Sequence, residues 1–304
     1  AGECRLLVGL ASLEHSARMR AHVYGGPPES ISSGVKGIGA VEVRRNAADL
    51  DHFKGRDPRV FRDAIYLDTC GDDVYSSVRR YFEWLRRRDY PDDPVVPDGA
   101  DEVIWHSWYA HQMTISQEVI RDQARRAREL GIRRIQIDAG WDVPPAAAIW
   151  GGNRANPERF PDFRGLIDEL HAGGQRVALH MNPFSVDPFA FADQKLLFPL
   201  LIHKGGEPFK GSYDARQLCP RCAGTREYIL SCVRRIVGEY GIDDVWYDFV
   251  DDNPELFGGC EAEHEHAPGT SGESVLAILR AMQAEASRLR PGAVLWGRRD
   301  QANA

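Results

Sequence analysis

The chain reads as an α/β protein: a partial (β/α)8 TIM barrel with about five β-α units, preceded by the end of a β-sandwich. Three observations predict this. From residue 102 onward, short apolar runs alternate with amphipathic stretches, the pattern of parallel strands joined by helices. Two of those runs, Gly131-Ile132-Arg133-Arg134-Ile135-Gln136-Ile137-Asp138 and Gly241-Ile242-Asp243-Asp244-Val245-Trp246-Tyr247-Asp248, end on a carboxylate, as strands do at the active rim of a barrel. Before residue 70, short, partly alternating runs are separated by turns rich in Gly, Pro and Ser.

The elements follow in order. Leu6-Leu7-Val8, Arg18-Met19-Arg20-Ala21-His22-Val23-Tyr24, Val41-Glu42-Val43 and Ala64-Ile65-Tyr66-Leu67 read as strands. Asp72 or Asp73 caps a helix running to about Arg88, with Val74, Val78, Tyr81, Phe82 and Leu85 at helical spacing. Tyr90-Pro91-Asp92-Asp93-Pro94-Val95-Val96-Pro97-Asp98-Gly99 is a stiff linker. The expected organisation is thus the end of a sandwich with a helix over 1–88, a linker over 89–101, and a C-terminally incomplete barrel over 102–304.

The barrel opens with a strand over 103–109 and a helix over 116–130 that turns Ile120, Ala124, Ala127 and Leu130 inward. The strand to Asp138 follows, then a helix over 163–172 closed by Gly173-Gly174, and the strand Arg176-Val177-Ala178-Leu179-His180. A long excursion over 183–223 is of the kind that carries function. Thr225 caps the next helix, whose inner face is Ile229, Cys232, Val233, Ile236, Val237 and Tyr240, and the strand to Asp248 comes after it. Thr270-Ser271-Gly272-Glu273 is a capping box, opening a helix that buries Val275, Leu276, Leu279, Met282 and Leu289. Ala293-Val294-Leu295-Trp296 is the fifth strand.

Composition bounds the partners. In 304 residues, 43% hydrophobic and 27% charged content describes a globular chain, and a formal charge of −7 argues against nucleic acid. No apolar run is long enough to cross a bilayer, so a membrane is not an expected partner. The chain starts at Ala1-Gly2-Glu3 without an initiator Met and reads as an excerpt of a longer protein. Five units of eight leave sheet edges exposed, so the excerpt is expected to be poorly stable by itself.

The strand ends collect a particular chemistry: Trp105, His106 and Trp108; Asp138 and Trp141; His180 and Asn182; Asp248; and Arg298. Indole faces stack on the apolar faces of pyranose rings, and carboxylates and amides bind hydroxyls. Glycoside cleavage uses two carboxyl groups, and Asp248 is the candidate nucleophile. Plainer readings stand beside this one. Tryptophans at strand ends also pack cores, His180 can be a hydrogen-bonded core histidine, and Arg133 or Arg134 can neutralise a strand-end carboxylate.

These motifs, in this order, resemble the melibiase-type α-galactosidase family of glycoside hydrolase clan D. Trp105-His106-Ser107-Trp108-Tyr109 is similar to its Trp-Asn-Ser-Trp-aromatic first strand, and Asp138-Ala139-Gly140-Trp141 to its Asp-Asp-Gly-Trp second strand. Phe160-Pro161 through His171-Ala172-Gly173-Gly174, Leu179-His180-Met181-Asn182-Pro183, and Tyr240-Gly241-Ile242-Asp243 through Asp248-Phe249 follow the family's later segments. The resemblance implies a retaining glycosidase without metal or other cofactor, acting on an α-linked sugar. It implies Asp248 as nucleophile, and Asp138, Trp141, Trp105, His180, Asn182, Trp246 and Arg298 as substrate-binding residues. The acid/base Asp of the family belongs to a later strand, beyond Ala304, with Asp300 a weak substitute. Ala139 departs from the second Asp of the family pair, and Trp246 from a Lys that contacts sugar. Both departures remove polar contacts that recognise galactose.

Two rivals are set against this reading. One is a catalytically degenerate barrel that binds carbohydrate without cleaving it. The other is a metal-dependent hydrolase using His180, Asp138 and Asp248, although these strand ends lack clustered histidines. Separately, Cys219-Pro220-Arg221-Cys222 has metal-ligand spacing, with Cys260, His264 and His266 as further zinc ligands; Glu261-Ala262-Glu263-His264-Glu265-His266 also reads as a solvated loop.

Overall fold

A computed structural model describes residues 7–10, 17–24, 38–45, 65–68, 73–89, 99, 101–142, 152–187, 192–211, 215–250, 256 and 259–297. Arg298, Asp300 and nearly all of the proline-rich stretch fall outside these residues.

The first four strands are antiparallel pairs. β1 (Leu7–Leu10) pairs with β4 (Ile65–Asp68), and β2 (Ala17–Tyr24) with β3 (Ile38–Arg45). Helix α1 (Val74–Asp89) starts where Asp73 Oδ1 accepts from Ser76 N at 2.9 Å. Arg80 Nε donates to Asp68 Oδ2 at 2.7 Å and ties α1 to β4. Leu85 is buried, but Phe82, expected on the inner stripe, is 53% exposed.

From residue 104 five parallel strands form one sheet. They are β5 (Ile104–His106), β6 (Arg134–Ile137), β7 (Arg176–Met181), β12 (Asp244–Tyr247) and β13 (Val294–Gly297). Their spatial order follows their order in the sequence, so each strand lies beside the one before it. A sheet wound in one direction, with its helices packed on one face, is an arc of a (β/α)8 barrel.

The connecting elements bury the helix-facing side. α3 (Gln117–Glu129) is capped by Ser116, whose Oγ accepts from Val119 N at 3.3 Å, and it buries Ile120, Ala124 and Ala127. Leu130, expected inward, is 79% exposed because it is the C-cap, past the last inward turn. α4 (Phe163–Ala172) is capped by Asp162. The 183–223 excursion contains the short antiparallel pairs β8 (Ser185–Val186) with β11 (Arg216–Gln217) and β9 (His203–Lys204) with β10 (Glu207–Pro208). α5 (Ala223–Val233) begins at Cys222; Thr225, expected as its cap, lies inside the helix and is fully buried. The helix widens into a π-type turn, Arg234–Glu239, where Tyr240 N bonds Arg235 O, and Gly241 at φ +76° ends it. α6 (Ser271–Leu289) carries the predicted capping box in full: Thr270 Oγ1 accepts from Glu273 N, and the Glu273 carboxylate accepts from Thr270 N. Ile278, not predicted, shares its buried face with Val275 and Met282.

Strand alternation divides the sheet into two faces. Ile135, Ile137, Val177, Leu179, Met181 and Val245 join the helices in one continuous core. The other face carries Arg134, Gln136 and Asp138, then Arg176, Ala178 and His180, then Asp244, Trp246 and Asp248. At its amino-terminal edge Arg176 grips Asp244 in a fork, Nε to Oδ2 at 2.8 Å and Nη2 to Oδ1 at 2.6 Å. Arg134 adds Nη1 to Asp244 Oδ2 at 3.4 Å and Nε to Glu102 Oε2 at 2.9 Å. Those ion pairs draw Arg134 to the end of β6 opposite Asp138, contrary to its predicted alternative role of neutralising a strand-end carboxylate.

Candidate active site

The carboxyl ends of β5, β6, β7 and β12 bring four titratable side chains to the inner face. Asp138 lies just beyond β6 and Asp248 just beyond β12, 7% and 5% exposed. Each carboxylate is held by local backbone first. Asp138 Oδ1 accepts from Ala139 N at 2.7 Å, and Asp248 Oδ1 accepts from Phe249 N at 2.8 Å. The second oxygen of each faces a histidine. His106 Nε2 is 3.2 Å from Asp138 Oδ2, and His180 Nε2 is 3.8 Å from Asp248 Oδ2.

The tautomer of His106 follows from its other nitrogen. Trp108 N donates to His106 Nδ1 at 3.2 Å, so in the neutral ring the proton sits on Nε2, facing Asp138. That same bond makes His106 the N-cap of α2 (Ser107–His111), which is why β5 stops at 106 instead of reaching 109. Ser107 Oγ accepts from Asp138 N at 2.9 Å and fixes the backbone of the second strand end.

His180 is 2% exposed. Burial works against its charged form, but Asp248, Asp138 and Asp142 together outweigh that and hold its pKa above the ordinary value. When protonated, the ring adds positive charge beside Asp248.

Two turns shape the rim. Gly140 has φ +104°, and a Cβ there would meet the Met113 carbonyl oxygen at 2.7 Å, so the chain behind Asp138 turns through a position only glycine fits. Phe249 holds φ +56° directly after Asp248, a left-handed conformation that costs a non-glycine residue about 1 kcal/mol. Ala139 and Phe249, the residues after the two carboxylates, pack in one small apolar cluster with Trp108 and Met113. That cluster brings the ends of β6 and β12 together.

The remaining predicted residues divide. Trp246 lies on the inner face two residues before Asp248, its ring edge-on to His106 at 6.0 Å. Asn182 is 2% exposed; its Oδ1 accepts from Ser185 N at 3.2 Å, and its Nδ2 is buried with no partner. Trp105 has the opposite strand parity and packs against the helix-side core. Trp141 is fully buried: its ring stacks on Phe163 at 5.6 Å, Tyr240 meets it edge-on, and its Nε1 donates to His180 O at 2.9 Å. Trp141 is thus enclosed, and Trp105 is part-buried on the helix side of the sheet, away from the inner face that carries Asp138 and Asp248. Arg298 falls outside the described residues. His106 is the residue that sequence reasoning undervalued; the signal was its alternation with Ile104 on a strand whose other residue, Trp105, faces the helices.

Among the described residues, the grouping of metal-ligating side chains close enough to share an ion lies elsewhere, at Cys219, Cys260, His264 and His266. His180, Asp138 and Asp248 do not form such a grouping, so the metal-hydrolase rival has no geometric support. Cys222 is also outside it: as the N-cap of α5 its side chain is buried in the core.

No protein-family model matches the chain, and no curated protein matches it. Solved structures do. A variant of the GH36 α-galactosidase AgaA from Geobacillus stearothermophilus, in complex with raffinose, aligns with TM-score 0.62 and 13% identity over 96% of this chain and 44% of that chain. AgaB from the same organism aligns with TM-score 0.58 and 15% identity, over 77% and 32%. An α-galactosidase from Lactobacillus brevis aligns with TM-score 0.54 and 15% identity, over 86% and 33%. The likeness is one of fold: the five-stranded sheet matches part of the barrel in these structures. The chain spans between 29% and 44% of the length of these neighbours and of AgaA itself.

Proposed function

We propose that this chain carries the nucleophile side of a retaining, α-galactosidase-like glycosidase site. The observation that carries the reading is Asp248: a buried carboxylate at the end of an inner barrel strand, oriented through one oxygen by Phe249 N, with the other beside His180. The likeness of the fold to α-galactosidases supports the substrate class.

In this mechanism Asp248 Oδ2 attacks the anomeric carbon while a second carboxyl protonates the departing glycosidic oxygen. Water then attacks the glycosyl-aspartate from the same face as the departed group, giving net retention. Asp138, with its Oδ2 bonded by His106, accepts from a sugar hydroxyl. Asn182 Nδ2, buried and unpartnered, is a donor for another hydroxyl or for the ring oxygen. Trp246 gives the inner wall an apolar surface where the resembling family has a Lys. With Ala139 packed on Phe249, polar contacts are fewer on this side of the sugar, so the proposed substrate is an α-glycoside with a less stringent requirement than galactose.

A mechanism-based 5-fluoro-α-galactosyl fluoride tests this directly, because fluoride leaves without a general acid. The expected result is a covalent sugar adduct on the peptide bearing Asp248, absent in Asp248→Asn. The second reading, a barrel that binds carbohydrate without cleaving it, is favoured by the same Ala139 and Trp246. It predicts sugar binding by calorimetry with no adduct. Neither adduct nor binding would overturn both.

A further inference from the structure

We propose that Cys219, Cys260, His264 and His266 bind one zinc ion that clamps the loop after β7 to the loop after β12. The ligand atoms of these four side chains all lie within 4.8 Å of one another. Tetrahedral zinc with two sulfurs and two nitrogens has ligand-to-ligand edges of about 3.3–3.8 Å. Cys260 Sγ and His264 Nε2 already stand 3.6 Å apart. The set therefore needs a contraction of at most about 1–1.5 Å at its widest edge, not a rearrangement.

The hydrogen bonds around the set orient it. His264 Nδ1 lies 2.8 Å from the Pro199 carbonyl oxygen. A carbonyl only accepts, so Nδ1 carries the proton and the neutral ring leaves its Nε2 lone pair toward Cys260. An outer backbone carbonyl holding the far nitrogen is the usual support of a metal-bound histidine. His266 Nε2 is buried with no hydrogen-bond partner, and the two imidazoles pack 4.5 Å apart. Ala262 N donates to Cys260 Sγ at 3.4 Å, a bond that favours a thiolate. Along the loop, Glu261, Glu263 and Glu265 are exposed while the ligands turn inward. The solvated-loop reading thus describes the acids, and the metal reading describes the residues between them.

The two loops are joined even without an ion. Glu261 N bonds His203 O, Ala267 N bonds Arg221 O, and Arg221 returns two bonds to Ala267 O. The ligand geometry is therefore built by the chain. Two cysteine sulfurs and two imidazoles, with no carboxylate, favour zinc over magnesium or calcium, and a closed four-ligand set is structural. Binding releases the thiol protons as the Zn–S bonds form. The clamp would hold the connections that follow Asn182 and Asp248.

The test is metal analysis of the 304-residue chain purified in reductant, followed by cobalt(II) titration of the metal-free protein. One zinc per chain is expected, with the intense visible bands and ultraviolet thiolate charge transfer of tetrahedral cobalt. Cys260→Ser and His266→Ala should each weaken zinc binding by more than the ~10–100-fold typical of losing an outer-shell partner. Cys222→Ser should leave it unchanged. If a ligand variant fails to fold, the wild-type cobalt spectrum still decides. A wild-type titration without a saturable tetrahedral spectrum would overturn the proposal, as would Cys222→Ser losing metal like Cys260→Ser. A native Cys219–Cys260 disulfide that takes up no metal after reduction would do the same.

Discussion

Asp138 and Asp248 are held in the same way. Each accepts at Oδ1 from the backbone N–H of the next residue and turns Oδ2 toward a histidine on the strand that precedes it in the sheet. His106 serves Asp138 from β5, and His180 serves Asp248 from β7. A parallel sheet with sequential strand order produces this repetition, because each strand end lies beside the end of the strand before it.

The His180–Asp248 pair gives a pH signature. Folding raises the His180 pKa, so the pair's contribution to stability is fully present below the unfolded value of about 6.5. It is lost as pH rises through the folded value. Urea unfolding across pH should show that loss in the wild type, and Asp248→Asn should flatten it, since burial then acts on His180 with one fewer opposing carboxylate. An NMR titration should find the His180 pKa lower in Asp248→Asn. A His180 pKa that is unchanged or higher in the variant would count against the pairing.

Ala139 separates this site from the family it resembles. It is 1% exposed and packs with Phe249 and Trp108. Restoring a carboxylate with Ala139→Asp should not restore a sugar contact; it should bury a charge in an apolar cluster. We expect a loss of about 2 kcal/mol or more in denaturant unfolding, with no gain in galactose affinity. A stable variant that binds galactose more tightly would show that the cluster opens readily.

At the opposite edge of the sheet, Asp244 is 1% exposed and shared between Arg176 and Arg134. Asp244→Ala removes the acceptor and leaves the buried Arg134 guanidinium with less compensation. The expected destabilisation is about 3–5 kcal/mol by chemical unfolding. Because Asp244 begins β12, four residues before Asp248, the same variant should lower the fraction of folded protein without altering the pH signature of His180 in the molecules that remain folded.

The alternation of short apolar runs and amphipathic stretches made the sheet legible, since burying one helix face and both strand faces forces apolar residues at fixed intervals. The capping box at Thr270 and Glu273 and the cap at Asp73 were equally legible, because a cap is a local bond between residues three apart. Element ends set by residues outside the usual Ser, Thr, Asp and Asn caps were not. β5 ends early because His106 caps α2, and α5 begins at Cys222, leaving Thr225 as a buried helical residue.

The sequence by itself determined the succession of parallel strands and the carboxylates at their ends, because both are written in local periodicity. It also supplied the residues of a candidate metal-ligand set, Cys219, Cys260, His264 and His266 among them, but its Cys-x-x-Cys spacing included Cys222, which the fold buries in the core. Only the tertiary structure decided which side chains share a face. It sent Trp105 and Trp141 into packing, brought His106 to Asp138 and His180 to Asp248, and gathered Cys219 with Cys260, His264 and His266. Spacing along a chain constrains neighbours within a turn or a strand; contacts between separate loops and strands are set by how the sheet closes around its core.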